Sequence, residues 1–289
     1  MSFLAVLLAL ATERALGWLE LEHWRRPHWF AGYMRWLVPR LASHPLARRA
    51  GLLLGGALAP ALLAWLLDNS LDSVWRVWSF LFSTAVLAFM LGPRDVAAEI
   101  NDYCDAVRNE RGTEVAAIAE RILGVAPPAD ALDRNRAVTE AALVNANDRL
   151  FGVLLWFLLL GPGGAVLFRC ADLLRHALDD DEDARLRLVV LRLHGVLAWL
   201  PARLTAMGYA LAGSFEEAVS DWRSYYHECS PHFFEVNNDV LACSGTGALR
   251  LAAGGDEGLG MVRATVGLIQ RNLFIWLTGI ALFTLIGWI

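Results

Sequence analysis

Residues 138–149 read V-T-E-A-A-L-V-N-A-N-D-R and run directly into L-F-G-V-L-L-W-F-L-L-L-G-P-G-G-A at 150–165; this junction decides the fold. A polar helical pattern passes without a linker into an apolar segment that continues to Phe168. That segment approaches the roughly 20 residues a helix needs to cross a bilayer. Gly161-Pro162-Gly163-Gly164 lies inside it. Proline removes a backbone donor and glycine permits unusual dihedrals, so a kink or break is expected there. Broken backbone at membrane depth has to be surrounded by protein or water, which places the segment in a packed interior. A second apolar run, 188–213, carries W-L-P-A-R-L-T-A-M-G-Y at 199–209 and includes Arg192, His194 and Arg203. Ionisable groups at membrane depth are costly, so they point to a buried site. This run is either a buried bundle helix or a re-entrant one.

Composition agrees. Of 289 residues, 56% are hydrophobic and 19% charged, against about 25% charged in soluble domains. Twelve tryptophans include Trp18, Trp75, Trp78, Trp199 and Trp288 at the ends of apolar runs, where an amphipathic ring suits the membrane–water interface. All 25 basic residues are arginine, a bias that GC-rich codon usage explains without any site-level role. The net charge of −5 argues against a nucleic-acid partner. Cys104, Cys170, Cys229 and Cys243 form neither a C-x-x-C pair nor a disulfide framework.

The expected fold is therefore an all-α integral membrane protein, a helical bundle with about five to six membrane segments and amphipathic helices between them. The chain reads as a single membrane domain over 1–289. A cytoplasmic helical segment over 93–149 and an amphipathic helical segment over 214–271 pack on the bundle. Its first apolar segment, Phe3 to Trp18, lacks the basic start of a signal peptide and contains Glu13 and Arg14, so it reads as a retained helix whose charged pair faces protein. Segments 51–67 and 74–91, joined by Asp68–Ser73, read as a helical hairpin. Within 93–149, Val96, Ile100, Tyr103, Cys104 and Val107 recur at helical spacing. Ala126-Pro127-Pro128-Ala129 punctuates that stretch, and Asp130 is placed to cap the next helix. Asp179–Asp183 reads as a solvated acidic turn, and Leu273–Ile289 as the last span. Six arginines in the 19–50 loop (Arg25, Arg26, Arg35, Arg40, Arg48, Arg49) put that loop on the cytoplasmic side of the membrane.

Several groups are candidates for chemistry. Arg203 offers a rigid fork for carboxylate or phosphate; the competing reading is an internal salt bridge with Glu13, Glu140 or Asp148. Glu140 and Asp148, eight residues apart, roughly share a helix face, with Asn145 turned partly away. Such a face can handle a proton, a metal or an amine, or can simply end a helix against its neighbours. His227-Glu228-Cys229-Ser230-Pro231-His232 contains suitable metal ligands, but at no standard spacing. No metal site is assigned to it. A P-loop, a G-x-S-x-G elbow, H-E-x-x-H and a dinucleotide fingerprint are all missing, so no cofactor is expected.

These residues resemble a known family, the membrane proteins that group the cobinamide(-phosphate) synthases with the AmpE regulators of β-lactamase induction. The resemblance rests on E-x(4)-N-x-x-D at Glu140, Asn145 and Asp148, on G-P-G-G-A at 161–165 and on W-L-P-A-R-L-T at 199–205. It covers about residues 120–215 well. Several synthase features are replaced. Gly124-Val125-Ala126-Pro127 stands for G-R-D-T, and Val144-Asn145 for E-N. Arg149 stands for a Gly. Cys170-Ala171-Asp172-Leu173-Leu174 stands for N-T-x-D-S-M, and His194-Gly195 for D-D. The opening A-T-E-R-A-L-G-W-L-E-L-E-H-W, with Glu13-Arg14 and Glu22-His23-Trp24, is similar to the AmpE branch.

Because amide synthesis needs positioned charges at the reacting centre, this resemblance implies a non-enzymatic signalling modulator of the inner membrane. It would be linked to β-lactamase induction and muropeptide recycling. The implied pocket is lined by Glu140, Asn145, Asp148 and Arg203 with Glu13 and Arg14, and has no catalytic residue. The implied partners are membrane lipid, a muropeptide or nucleotide-like ligand and a soluble amidase. The alternative is a divergent amide-forming synthase acting on a corrinoid or another carboxylate, and a third is a purely structural membrane partner for the amidase.

Overall fold

A computed structural model of the chain describes residues 2–18, 32–33, 46–91, 96–177, 184–228, 236–250 and 258–286. Among these residues every regular element is helical. The helices are α1 (Ser2–Trp18), α2 (Leu46–Val74), α3 (Arg76–Met90), α4 (Val96–Arg108), α5 (Gly112–Leu123) and α6 (Ala131–Ala146). After a π-helical turn, Asn147–Phe151, come α7 (Gly152–Ala177), α8 (Ala184–Ala212), α9 (Phe215–Glu228), α10 (Val236–Leu249) and α11 (Leu259–Leu285). Four stretches are long and apolar enough to cross a membrane: Leu54–Asp72, Ala131–His176, Arg185–Ala212 and Leu259–Leu285. The protein is an all-helical membrane protein.

The chain divides into two compact units, each assembled from separate stretches. Unit 1 comprises residues 1–93, 148–199 and 283–289; unit 2 comprises 94–147 and 200–282. In unit 1, α7 packs on α2 and α3, which pack on each other, and α1 packs on α3. Helix α2 turns Ala61 and Ala64 inward and leaves Leu62, Leu63, Trp65 and Leu66 exposed, an apolar surface suited to lipid rather than water. The glycine run explains how α7 fits. Gly161 has φ +65, ψ −156, which breaks the helix before Pro162. A Cβ on Gly163 would come within 2.9 Å of Trp65 Cβ and 3.0 Å of the Ala61 carbonyl, so α2 and α7 approach this closely only with glycine there.

In unit 2, α4, α5 and α6 pack on one another, α10 covers α6, and α9 pairs with α10. Val96, Ile100, Tyr103 and Cys104 are buried along one face of α4, as their spacing predicts. Asp130 caps α6 by accepting from the backbone N–H of Leu132 (2.8 Å) and Asp133 (3.1 Å). The Asp133 bond, followed by the Leu132 bond, pulls its pKa below the usual carboxylate value. Burial pushes the Tyr103 hydroxyl and the Cys104 thiol up.

Two element readings differ from the sequence expectation, and the open alternative at 188–213 is narrowed. The Asp68–Ser73 link is helical, and the chain turns only at Trp75. The Asp68 carboxylate is satisfied within the hairpin, where Oδ1 accepts from Ser79 Oγ and Ser83 Oγ at 2.8 Å each. The 188–213 run is one continuous helix despite Pro201. The last span begins at Leu259 rather than Leu273, and Val262, Thr265, Leu268, Ile269 and Asn272 form its buried face. The acidic turn at 179–183, Cys229 and His232 lie outside the described residues.

Candidate functional site: a buried ionic cluster in unit 1

Helix α8 alternates at helical period: Leu186, Val190, His194, Ala198, Ala202, Ala206 and Tyr209 are buried, while Leu188, Leu191, Val196, Leu200, Leu204 and Leu211 are exposed. His194 therefore projects from the packed face. In α7, Arg169, Asp172 and Arg175 follow at i, i+3 spacing, which sets them on one face. The π-helical turn supplies the third element by delivering Asp148. A π turn resets the register of the helix behind it and recurs at functional sites.

The result is a charged cluster among apolar helices. Asp148 is 2% exposed, Asp172 3%, His194 5% and Arg169 8%. Arg175 bridges the two carboxylates. Its Nη2 donates to Asp148 Oδ2 and lies 2.9 Å from Asp172 Oδ1, and its Nε donates to the same Asp172 oxygen at 3.0 Å. Arg169 Nη1 donates to Asp172 Oδ2 at 2.6 Å. His194 Nε2 faces both carboxylates, 3.8 Å from Asp148 Oδ1 and 3.9 Å from Asp172 Oδ1. The Phe168 ring packs on the imidazole at a centroid distance of 5.6 Å. Two negative and two positive side chains held together in this way neutralise one another, the condition under which ions persist inside a protein.

The residues singled out from sequence fall in different surroundings. Asp148 belongs to the cluster. Glu140 is half-buried and paired with Arg136 (3.1 Å) four residues earlier on α6. Asn145 donates to the Ile122 carbonyl at 2.9 Å, tying α6 to α5. Arg203 is half-buried and donates to Asn237 Oδ1 at 2.6 Å. Glu13 and Arg14 lie on α1, but their side chains fall outside the described residues. Glu140 lies on α6 and Asp148 within the π turn.

The P-A-R-L-T-A-M-G-Y segment has a structural part to play in unit 2. Thr205 Oγ1 donates to Asn147 Oδ1 (3.1 Å), Tyr209 Oη to the Leu143 carbonyl (2.9 Å), and Ser244 Oγ to the Ala206 carbonyl (2.8 Å). Asn272 Nδ2 donates to the Thr205 carbonyl at 3.3 Å, and its amide rests on the bare Cα of Gly208. The motif thereby joins α8 to α6, α10 and α11. A cavity of about 370 Å³ in unit 2 is lined by Val107, Glu110, Val115, Pro127, Pro128 and Arg134. It includes none of the predicted site residues.

Sequence reasoning missed Arg169, Arg175 and the roles of Asp172 and His194. The i, i+3 spacing of Arg169, Asp172 and Arg175 inside an apolar helix was the available signal. It was passed over because Asp172 and His194 stood where other polar motifs were expected.

The family model described as CobD/Cbib protein matches residues 6–264. The chain belongs to this family. Among curated proteins it is similar to the cobalamin biosynthesis protein CobD of Chromobacterium violaceum, 36% identical over 122 residues, or 42% of this chain and 38% of that protein. It is likewise similar to the cobalamin biosynthesis protein CobD of Stutzerimonas stutzeri, 34% identical over 123 residues, or 42% of this chain and 39% of that protein. The matches thus span well under half the length of these relatives. No solved structure matches the chain.

These findings correct the functional expectation. Both relatives carry a biosynthetic name and neither carries that of an AmpE regulator, so the non-enzymatic modulator of β-lactamase induction and muropeptide recycling is withdrawn. The expectation that the chain is not an enzyme falls with it. Lost motif letters were read as lost charges. Yet Asp172 and His194, from two of the replaced stretches, meet in the buried cluster.

Proposed function

We propose that the chain is a bacterial inner-membrane enzyme of cobalamin biosynthesis that forms an amide bond between a corrinoid carboxylate and an amino alcohol or its phosphate. The observation that carries the reading is the buried Asp148–Arg175–Asp172–Arg169 network, in a chain whose family and relatives are named for this pathway. Amide formation joins the carboxylate carbon to the amine nitrogen with the net loss of one water, made of a carboxylate oxygen and two ammonium protons, and each ion needs a countercharge as its hydration is stripped. The cluster offers both signs at one place, guanidinium forks for a carboxylate or phosphate and carboxylates for an ammonium. Such preorganised charges are worth far more in a water-poor interior than in solution. The arginines of the 19–50 loop support the orientation, with that loop cytoplasmic.

Complementation tests the reading. A bacterium lacking its cobinamide synthase, expressing this chain, is expected to grow without added cobinamide, and Asp172→Ala is expected to abolish that growth. Failure of the wild-type chain to restore growth, with its membrane expression verified by immunoblot, would overturn the assignment.

A further inference from the structure

His194 is buried, and its Nε2 atom has no hydrogen-bond partner among the described residues. It stands almost equally far from two carboxylate oxygens, 3.8 Å from Asp148 Oδ1 and 3.9 Å from Asp172 Oδ1. Those distances are too long for hydrogen bonds, which for nitrogen donors fall near 2.7–3.2 Å. They are the right length for atoms sharing one ion. Ligands at bond lengths of about 2.0–2.2 Å around a common metal lie about 3 to 4 Å from one another. Each of the three residues offers one ligand atom within 4.8 Å of those of the other two.

The surrounding bonds have the pattern of a supported metal site. Asp148 and Asp172 each give Oδ2 to an arginine, Arg175 and Arg169 respectively, and turn Oδ1 toward the imidazole. Hydrogen bonds to the outer oxygen are what fix a ligating carboxylate. Asp172 Oδ1 also accepts from Arg175 Nε, with Arg175 Nη2 at 2.9 Å and His176 Nδ1 at 3.6 Å, so a metal there shares this oxygen with the guanidinium.

We infer that Asp148, Asp172 and His194 form a binding site for a divalent first-row transition ion, such as Mn²⁺, Co²⁺ or Zn²⁺. One imidazole and two carboxylates, with no thiolate, suit that class. Three protein ligands leave positions open. The two aspartates and two arginines already cancel in charge, so the ion brings an uncompensated double charge into a buried place. An anionic oxygen ligand in the open positions balances it. The site is argued from this chain's own geometry, and it shares Asp148 and Asp172 with the cluster on which the biosynthetic reading rests.

Purified full-length protein in detergent, stripped with chelator, is titrated with Co²⁺ with and without inorganic phosphate. Visible absorption reports coordination, and bound metal is counted after gel filtration. About one equivalent per chain in either condition is expected, with affinity falling at least tenfold in His194→Ala and in Asp172→Asn. Wild-type protein that retains no metal in either condition overturns the site, whatever the variants do. Equal affinity in wild type and a folded His194→Ala overturns it as well. Because substrate is absent from this measurement, its failure is separate from a failure of complementation.

Discussion

Gly208 shows how one hydrogen atom in place of a side chain can join helices. Asn272 is fully buried, and its Nδ2 donates to the Thr205 carbonyl at 3.3 Å. Its Oδ1 has no hydrogen-bond partner among the described residues and lies against the Gly208 Cα. A methyl group at 208 would overlap that oxygen and approach Asn272 Cγ to 2.8 Å. Because Asn272 is buried and already donates to the Thr205 carbonyl, Gly208→Ala is expected to destabilise the protein by about 1–3 kcal/mol, the usual cost of overpacking. Thermal unfolding in detergent measures it. If the clash is the cause, Asn272→Ala in the same chain recovers most of the loss, a coupling of about 0.5–3 kcal/mol. Strictly additive losses in the double variant would locate the damage elsewhere. At this scale the sequence was only partly legible. Arg203 was visible as a cation in an apolar run, but its neutral partner Asn237 on α10 lies in a polar segment that hydropathy alone does not bring to it.

Helix α6 and the π turn behind it carry the comparison to the level of elements. The helix start was readable because its signal is local: Pro127-Pro128 precedes it, and Asp130 accepts from two orphan N–H groups at the first turn of α6. The same bonds make the cap sensitive to acid. They hold the folded pKa below the unfolded one, so the ionic part of the cap is fully present above the unfolded pKa near 3.9 and is lost as pH falls through the folded value. Amide hydrogen exchange in the first turn of α6, referenced to the middle of the helix, is therefore expected to accelerate as pH drops below about 4. Asp130→Asn keeps an acceptor but carries no charge to lose, and should flatten that dependence. An identical pH profile in both proteins would remove the charge from the account. The far end of α6 was not readable, because a π turn leaves no mark in the apolar pattern. Counting eight residues along an ideal helix put Glu140 and Asp148 on one face. Asp148, inside the turn, pairs with Arg175, while Glu140 stays with Arg136. Helix identity was legible for similar reasons at α4, α7 and α8, where periodicity and length suffice. The buried cluster was not, since its members come from the π turn, α7 and α8, and only the packing of these elements brings them together.

For the whole molecule, the path of the chain matters more than any single contact. It passes between the two units after residues 93, 147, 199 and 282. Helix α8 gives its first part to unit 1 and its remainder to unit 2, and α7 contributes only to unit 1. Separating the chain in the acidic stretch at 179–183 would thus leave both units incomplete. The piece ending at residue 180 would retain Asp148 and Asp172 without His194, and Asn147 without Thr205. Leu143 would lose the Tyr209 hydroxyl from its carbonyl and the close cover of Gly245 from its side chain. Polar and charged groups left without partners among apolar helices are costly, and uncovered apolar faces favour aggregation. Neither 1–180 nor 181–289 is then expected to give monodisperse protein alone. Expressed together from separate start codons, the two should co-purify from detergent, with at least a tenfold higher yield of monodisperse material than either piece alone. The reasoning is that of a fold held by segments distant in sequence, in which no unit can close until the last helix has been made. Monodisperse 1–180 with the unfolding midpoint of the full chain would show that the discontinuous units carry no energetic weight.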